Sequence, residues 1–394
     1  MENMEKIKYL YIEDKQEKNV KFYIRALESL KNIKIEHYQL KKDDIAISII
    51  KEKNKYVDGI LIDFRLDEGD NYPFNAPSII QEFRQQVSDN NREFIDMPVV
   101  LISTDDKIKH LYEKETTSHD LFDSYILKGE LVENDFYQNK KIIELISLAK
   151  GYKKIRSIKE KYIGEKVKDE IIRELLDIGE KQNYIDTNIF GKLINKPFSP
   201  EHEYANFIIK NLLRYNGYLI DEFTLAARLG ICIEGLNNNE KEEWEKIKEF
   251  FKDAKYTGVF SDGWQRWWMS KVNEIFEEIS DGIYLIELNA EKRVEILKKK
   301  LSLIHIRPAE PIKCNNSTEY WVVCKRLRKP LDTLEGFKAA TEKELYSWQE
   351  PEYYSFYALV NEIFTDEESL KEHLHPDEWD RFFEMLEERK KECK

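Results

Sequence analysis

The sequence predicts an α/β protein: a five-stranded parallel sheet with helices on both faces, followed by a long helix and a mainly helical α+β region. Short apolar runs alternate with amphipathic stretches over the first 150 residues, which is typical of a parallel sheet covered by helices. Beyond them, apolar residues recur mainly at helical spacing. A chain of 394 residues is long enough for two or three cores, so the sheet accounts for only part of it.

The predicted strands are short apolar runs bounded by polar or turn-forming residues. They are Lys8–Ile12, Ile33–Tyr38, Gly59–Asp63, Pro98–Ser103 and Ser124–Leu127. A helix after the first strand is indicated by apolar residues that share one face, namely Val20, Tyr23, Ile24, Leu27 and Leu30. This face is expected to cover the sheet.

The connection from Asp67 to Asp96 is unusually long. It contains the turn-rich stretch GDNYPFNAP and then a predicted helix near Ser78–Val87. We interpret the turn-rich stretch as a loop inserted beside the functional edge of the sheet.

A single long amphipathic helix is predicted from Gly151 to about Lys181, because apolar residues recur there at helical spacing without a proline. The simpler interpretation is that it packs on the C-terminal domain; the alternative is a coupling or dimer helix. The turn-rich segment Asn195–Pro200 then marks the start of a second globular unit. The predicted domains are 1–150, a connecting helix over 151–195, and a mainly helical output or interaction domain over 196–394, with short strands near Gly282–Leu288 and Tyr320–Lys325.

The composition, 41% hydrophobic and 35% charged, is that of a folded protein with a heavily charged surface. Because the net charge is -13, nucleic acid and anionic membranes are disfavoured as partners. Four cysteines in so long a chain do not imply stabilising disulfides. With neither a signal peptide nor a membrane span visible in the sequence, we expect a cytoplasmic location.

Acidic residues stand at the ends of two predicted strands. Glu13 and Asp14 follow the first strand, and Asp63 ends the third. Ligands bind at the carboxyl ends of strands in open parallel sheets, so these side chains are expected to converge. Phosphoryl transfer to a carboxylate needs such a group, because Mg²⁺ prefers a few carboxylate oxygens together with water and phosphate. Lys128 after the fifth strand and Ser103 at the end of the fourth would stabilise charge on the transferring group.

The segments YLYIEDKQ, DGILIDFRLDEG, MPVVLIST and DSYILKGE together resemble the receiver domain of two-component response regulators, over about 135 residues. The resemblance implies a flavodoxin-like, doubly wound sheet with strand order 2-1-3-4-5. It also implies that Asp63 accepts a phosphoryl group and that Mg²⁺ is held by Glu13, Asp14 and Asp63, with the backbone carbonyl of Arg65 completing the coordination.

The same resemblance assigns roles to the remaining residues of this edge. Ser103 and Lys128 would contact the phosphoryl oxygens. Tyr125 matches the family's aromatic switch position and would turn inward when Ser103 moves. Two residues depart from the family pattern: Gly129 stands where a proline in a cis bond is usual, and Thr104 where a very small residue is usual. The bulk of Thr104 would narrow the approach to the acceptor and slow turnover.

The segment Arg214–Leu236 contains an LAxxLGI arrangement, which is often seen where two short helices meet at a tight glycine turn. A DNA-reading helix-turn-helix over Thr224–Leu236 is one hypothesis, although the acidic residues that follow argue against it. Aromatic residues cluster at Trp264, Trp267 and Trp268. Since the last two would point to different sides of a helix, we expect one to be buried and the other to meet a partner or a domain interface.

Other chemistry has weaker signals in the C-terminal region. His305, Cys314 and Cys324 lack the close pairing of a zinc site. Asp262 and Glu287, with Asp332, are spaced too loosely to define a nuclease-like cluster. Phosphate-binding, dinucleotide and hydrolase-elbow motifs do not occur in the sequence.

The leading hypothesis is a phosphorylation-responsive signalling protein whose receiver controls protein–protein contacts of the C-terminal domain, with no dedicated enzyme beyond self-catalysed phosphoryl acceptance. Its expected partner is a histidine-kinase-like phosphodonor or an ATPase, and a homodimer is possible. One alternative is a bacterial conflict or antiphage system in which the receiver restrains a C-terminal effector. The other is a DNA-binding response regulator.

Overall fold

The computed structural model describes residues 6–66, 75–89, 91–104, 121–162, 168–179, 200–341, 344–364 and 366–389. These residues form two compact units. The first lies within Met1–Lys210 and takes in Thr257–Trp264, and the second comprises Asn211–Tyr256 and Gln265–Lys394. Within the described residues, no helix has the length and apolar character needed to cross a membrane.

The first unit contains a parallel sheet of five strands in the order β2-β1-β3-β4-β5. This order, with helices packed on the sheet, confirms the predicted flavodoxin-like fold. Each predicted strand is present with its ends within one residue of the prediction. The strands are β1 (Ile7–Glu13), β2 (Ile33–Gln39), β3 (Gly59–Asp63), β4 (Val99–Ser103) and β5 (Ser124–Leu127).

The central strands are buried on both faces, as expected where helices cover both sides of a parallel sheet. Every residue of β3 and β4 is buried. The first residue of β3, Gly59, must be glycine, because a Cβ there would lie only 2.2 Å from the ring of Tyr9 on the neighbouring strand. One large core cluster includes Leu10, Ile62 and Phe83.

Three helices precede β4. They are α1 (Glu17–Leu27), α2 (Ala46–Lys53) and α3 (Ala76–Ser88). Val20 and Leu27 are buried as predicted, but Leu30 lies beyond the end of α1 and is exposed. Helix α3 starts where the Asn75 side chain accepts the backbone N–H of Ser78. Most of the stretch predicted as an inserted loop lies outside the described residues.

The helix predicted over residues 151–181 differs from the observed one in both ends. Helix α4 (Lys128–Glu133) directly follows β5, and α5 runs over Asp135–Lys161. The Asn134 side chain caps α5 by accepting the N–H of Tyr137. A separate helix, α6, covers Lys168–Leu175. The prediction of one continuous helix is therefore wrong, because α5 begins earlier and ends at Lys161.

Helix α5 packs on the sheet of the first unit. Within the predicted segment the Tyr152 hydroxyl donates to Asp123 at 2.6 Å, so the expectation that this part packs on the C-terminal domain is wrong. The Tyr9 hydroxyl on β1 donates to the carbonyl of Leu145 at 2.7 Å. Ile142, Leu145 and Leu148 are completely or almost completely buried. The helix is thus part of the α/β fold over much of its length.

A buried ionic network joins α3, α5 and helix α7 (Glu201–Phe207) at the amino-terminal ends of β4 and β5. Arg84 donates to Asp96 at 2.7 Å and to Asp123 at 3.0 Å. Tyr152 donates to the other Asp123 oxygen at 2.6 Å. The backbone N–H of His202 donates to Asp96 at 2.7 Å. Each charge in this network has a partner, so the network stabilises the attachment of these helices at the amino-terminal ends of β4 and β5.

The second unit is built from short elements. They are β6 (Leu219–Ile220), α8 (Glu222–Arg228), α9 (Asn238–Phe250), β7 (Trp267–Trp268), α10 (Met269–Ile279), α11 (Ala290–Leu301), β8 (Val322–Val323), β9 (Pro330–Leu331), β10 (Gly336–Lys338), β11 (Tyr353–Ser355), α12 (Phe356–Ala358), α13 (Glu367–His373) and α14 (Trp379–Arg389). The strands form two-stranded antiparallel pairs. A strand near Tyr320–Lys325 is confirmed as β8, but the strand predicted near Gly282–Leu288 is wrong, because a 3₁₀ turn occupies Leu285–Glu287.

The helix-turn-helix considered as a hypothesis over Thr224–Leu236 does not form in that segment. Helix α8 ends at Arg228, Gly230 adopts a φ of +80°, and the next helix begins only at Asn238. A Cβ at Gly230 would lie 2.6 Å from the backbone of Ala290, so this glycine serves close packing. The segment lacks the second helix that such a motif places in the major groove.

Two further expectations for the second unit are corrected. Trp267 and Trp268 are not helical; they form β7 and both are buried. Cys314 is disulfide-bonded, although the cysteine count did not imply a disulfide, whereas Cys232 and Cys324 are free.

Candidate functional site

The carboxyl ends of β1 and β3 bring three acidic side chains together. The two strands pair directly, with Ile12 opposite Ile62, so the residues that follow these positions lie side by side. Carboxylate oxygens of Glu13, Asp14 and Asp63 lie within 4.8 Å of one another. Among the described residues, this is the group of three ligands that the fold brings within reach of one metal ion. The convergence predicted from the strand ends is present.

Lys128 places a positive charge within this group. It follows β5, and its Nζ lies 2.5 Å from Asp63 Oδ1 and 2.7 Å from Glu13 Oε2. All three side chains are buried. The lysine thus bridges two carboxylates from different strands.

Burial and neighbouring charges affect the two carboxylates differently. Burial raises the pKa of Asp63 to about 6, and Glu13 adds to this effect while Lys128 opposes it. Burial would also raise the pKa of Glu13, but Lys128 and hydrogen bonds from Asp14 and Tyr11 lower it overall. Of the two carboxylates that share one lysine, Glu13 is therefore the more acidic. The negative charge on Asp63 is less stable than the one on Glu13.

Aromatic rings surround the lysine, and the sequence interpretation did not assign them to the site. The Tyr11 hydroxyl donates to Glu13 Oε2 at 2.7 Å. Lys128 Nζ lies 6.0 Å from the centroid of the Tyr11 ring and 5.5 Å from that of Tyr23. A signal existed for Tyr11, because it precedes Glu13 by two residues and strand side chains alternate with a period of two. Tyr23 comes from α1, and strand periodicity carries no information about it.

The remaining predicted site residues occupy the same edge or its approach. Ser103 is buried at the end of β4, and Thr104, the next residue, is exposed. In the sheet, Ser103 pairs with Leu127 on β5, immediately before Lys128. Arg65 lies two residues beyond Asp63 with an exposed side chain. Its carbonyl as a metal ligand stays a prediction, as do the roles of Ser103 and Thr104.

Tyr125 lies on β5 opposite Leu101 of β4. Its ring is half-buried and packs against the main core cluster. This cluster is formed by the sheet together with α2 and α3. Its role as a switch also stays a prediction.

The acidic edge is suited to a hard divalent cation. Mg²⁺ takes oxygen ligands from one or two carboxylates together with water and phosphate. Three carboxylates within 4.8 Å of one another supply such oxygens, and both carboxylate oxygens of Asp14 are shielded from solvent. The donor set contains no sulfur or imidazole ligand, which favours Mg²⁺ over zinc.

The strand order and the position of the acidic edge define the first unit as a receiver-like α/β unit. No family model matches the chain, and no curated protein matches it. Among solved structures, the chain is similar to one described as the crystal structure of a response regulator from Thermotoga maritima. The two are 14% identical, and the match covers 35% of this chain and 98% of that chain with a TM-score of 0.23. A likeness at this level does not assign a family, so the class rests on the fold and the site.

Proposed function

We propose that this protein is a phosphorylation-responsive signalling protein whose first unit accepts a phosphoryl group on Asp63. The observation that carries the proposal is the contact of Lys128 with both Asp63 and Glu13 inside a group of three carboxylates. A buried lysine between acidic groups is a costly arrangement for stability alone. A fixed positive charge is useful, however, where phosphoryl transfer changes the negative charge at one carboxylate.

The reaction transfers a phosphoryl group from an oxygen or nitrogen atom of the donor to a carboxylate oxygen of Asp63. A carboxylate oxygen of Asp63 forms the new bond to phosphorus, while the bond between phosphorus and the donor atom breaks and its electrons leave with the donor. The product is an acyl phosphate. Because the reaction requires an ionised carboxylate, positive charge near Asp63 favours the reactive form.

Lys128 pairs with the Asp63 carboxylate before the reaction and can pair with the phosphoryl oxygens afterwards. Transfer moves negative charge from the carboxylate to the phosphoryl oxygens, and an ammonium at 2.5 Å from Asp63 is within reach of both. The Ser103 hydroxyl, at the end of the neighbouring strand, would donate to another phosphoryl oxygen. Glu13 keeps the lysine oriented from the opposite side.

Glu13, Asp14 and Asp63 would hold Mg²⁺, with the carbonyl of Arg65 as a further ligand. When bound, the cation neutralises charge on the phosphoryl oxygens and aligns them with the acceptor.

The output follows from a shift in conformational population. A phosphoryl group that engages Ser103 favours an inward position of Tyr125, which changes the surface next to β5. That change would alter the contacts of the C-terminal domain with another protein. The phosphodonor is proposed to be a histidine-kinase-like protein or an ATPase partner.

Intact-mass spectrometry after incubation with Mg²⁺ and a small acyl phosphate tests the acceptor. We expect the full-length protein to gain the mass of one phosphoryl group, which hydroxylamine removes because acyl phosphates are labile to it. Asp63→Asn should gain none.

The matched control is Asp58→Asn. Asp58 precedes the same strand and accepts the backbone N–H of Lys8 at 2.8 Å, at the opposite edge of the sheet. This variant should be phosphorylated like the wild type. Equal labelling of wild type and Asp63→Asn, or no labelling of the wild type, would contradict the proposal.

A further inference from the structure

A buried lysine lies against the ring of Tyr125, the proposed switch residue. Lys141 Nζ is 5.1 Å from the centroid of the Tyr125 ring and 5.6 Å from that of the Tyr137 ring. It is paired with Glu144 Oε2 at 2.7 Å and lies 3.3 Å from the Ser124 hydroxyl. That hydroxyl donates to the same Glu144 oxygen at 3.1 Å. The ammonium thus has a carboxylate, a hydroxyl and two aromatic rings around it.

The two rings make different contacts. The Tyr137 hydroxyl accepts the backbone N–H of Leu127 at 2.9 Å, so its ring is tied to the end of β5. Burial raises the pKa of Tyr137, which keeps the phenol neutral. The Tyr125 ring lies over the ammonium and also packs against the main core cluster. A turn that carries the Tyr125 ring away from Lys141 would lose this cation–π contact, whereas the bond between Tyr137 and Leu127 does not involve Tyr125.

A purely structural role would be to attach α5 to β5 through the Lys141–Glu144 pair and Ser124. Two apolar residues of similar size would perform that role equally well or better, because burying an ion pair has a desolvation cost. The contact with Tyr125 gives the positive charge of Lys141 a role that packing alone would not require.

We infer that Lys141 is a positioning residue that holds the Tyr125 ring in the arrangement of the unphosphorylated protein. The inference rests on the proposed function and adds to it a restraint, placed on α5, that opposes the switch. Loss of the cation should raise the fraction of molecules with Tyr125 turned inward. A ligand that binds this form then binds more tightly in proportion to that fraction. From the range of cation–π contacts, we expect a gain between about twofold and about thirtyfold.

The test measures the apparent affinity of the full-length protein for beryllofluoride in the presence of Mg²⁺, followed by thermal shift. The main variant combines Lys141→Met with Glu144→Gln, so that no buried carboxylate is left unpaired. Its reference is Glu144→Gln alone, which keeps the ammonium over the ring. We expect the double variant to bind beryllofluoride about twofold to about thirtyfold more tightly than this reference. Lys141→Arg keeps a cation and should bind like the wild type.

A second variant, Lys141→Gln, covers the case in which the double variant does not fold. It can still donate to Glu144 but lacks the charge, and it too should bind more tightly than the wild type. A purely structural lysine predicts the opposite, namely lower thermal stability with unchanged or weaker binding.

The outcomes separate this inference from the proposed function. If the wild type binds beryllofluoride and the charge-free variants bind it no more tightly, the restraint by Lys141 is refuted while phosphoryl acceptance stands. If the wild type neither binds beryllofluoride nor gains phosphoryl mass, the proposed function fails, and the inference fails with it.

Discussion

Replacing Asp63 by asparagine should stabilise the first unit at neutral pH, although it removes a contact with Lys128. Burial and Glu13 make the ionised form of Asp63 unfavourable, which is why its pKa rises to about 6. Asparagine has the same shape and carries no charge, and its amide oxygen can still accept from Lys128. The substitution therefore removes the negative charge that the fold disfavours and keeps the shape of the side chain and its contact with Lys128.

The size of the effect follows from the pKa. The interval between the ordinary value of 3.8 and about 6 corresponds to about 3 kcal/mol. A raised carboxyl pKa gives stability that is fully present below the unfolded value and is lost as pH rises through the folded value. The wild type has therefore lost this contribution at pH 7, and the variant should melt about 6–12 °C higher there.

Thermal melts of wild type and Asp63→Asn at two pH values test the reasoning. At about pH 5 most of Asp63 is protonated in the folded protein but ionised in the unfolded chain, so the difference should fall to about half. The Asp58→Asn variant should show no stabilisation, because its carboxylate accepts a backbone N–H and pairs with Lys153. An Asp63→Asn protein that melts at or below the wild type at pH 7 would refute the account of the site's electrostatics.

Three further outcomes are expected. Mg²⁺ should stabilise the wild type by about 2.7 kcal/mol at a hundredfold excess over its dissociation constant, and thermal shift should show little of this in Asp63→Asn. Arg84→Met should lower the free energy of unfolding by about 3–5 kcal/mol in urea titrations, because Asp96 and Asp123 would be left buried with less compensation. Burial alone would raise the pKa of Asp96, but His202 and Arg84 lower it, so its contribution is present above the ordinary 3.8 and is lost as pH falls below it. Asp96→Asn should therefore be less stable than the wild type at pH 7. Its melting temperature should also fall less steeply than that of the wild type as the pH is lowered into the acid range.

The sheet and its acidic edge could be predicted because their signals are local and mutually consistent. A strand buried on both faces appears as a continuous apolar run, so β3 is located to the residue. The limits of β5 are also predicted to the residue, although alternate residues of this edge strand are only partly buried. In a parallel sheet all carboxyl ends lie at one edge, which makes Glu13 and Asp63 neighbours once the strands are known. The contact of Lys128 with both follows from the same geometry.

Helix limits and the second unit were harder to predict, for physical reasons. The start of α5 depends on Asn134 as a cap, a single residue whose signal is weak beside the periodicity of the helix. Trp267 and Trp268 form a strand because β6 pairs with them, a long-range contact that local spacing does not encode. The glycine turn after α8 resembled a helix-turn-helix because glycine with positive φ ends many kinds of helix.

Helix α5 is attached to the sheet along much of its length, through Tyr137, Leu145 and Tyr152. At Tyr152 it is fastened to Asp123 and, through Arg84, to the amino-terminal edge of the sheet. Lys141, about 16 Å closer to its start, lies against a ring that we propose can move. Because Tyr137 and Leu145 hold the helix on the sheet on either side of residue 141, a movement of the Tyr125 ring would be confined to side chains and would leave the helix axis in place. Distances between spin labels at the start and end of α5 and a reference site on the sheet should therefore be the same with and without beryllofluoride.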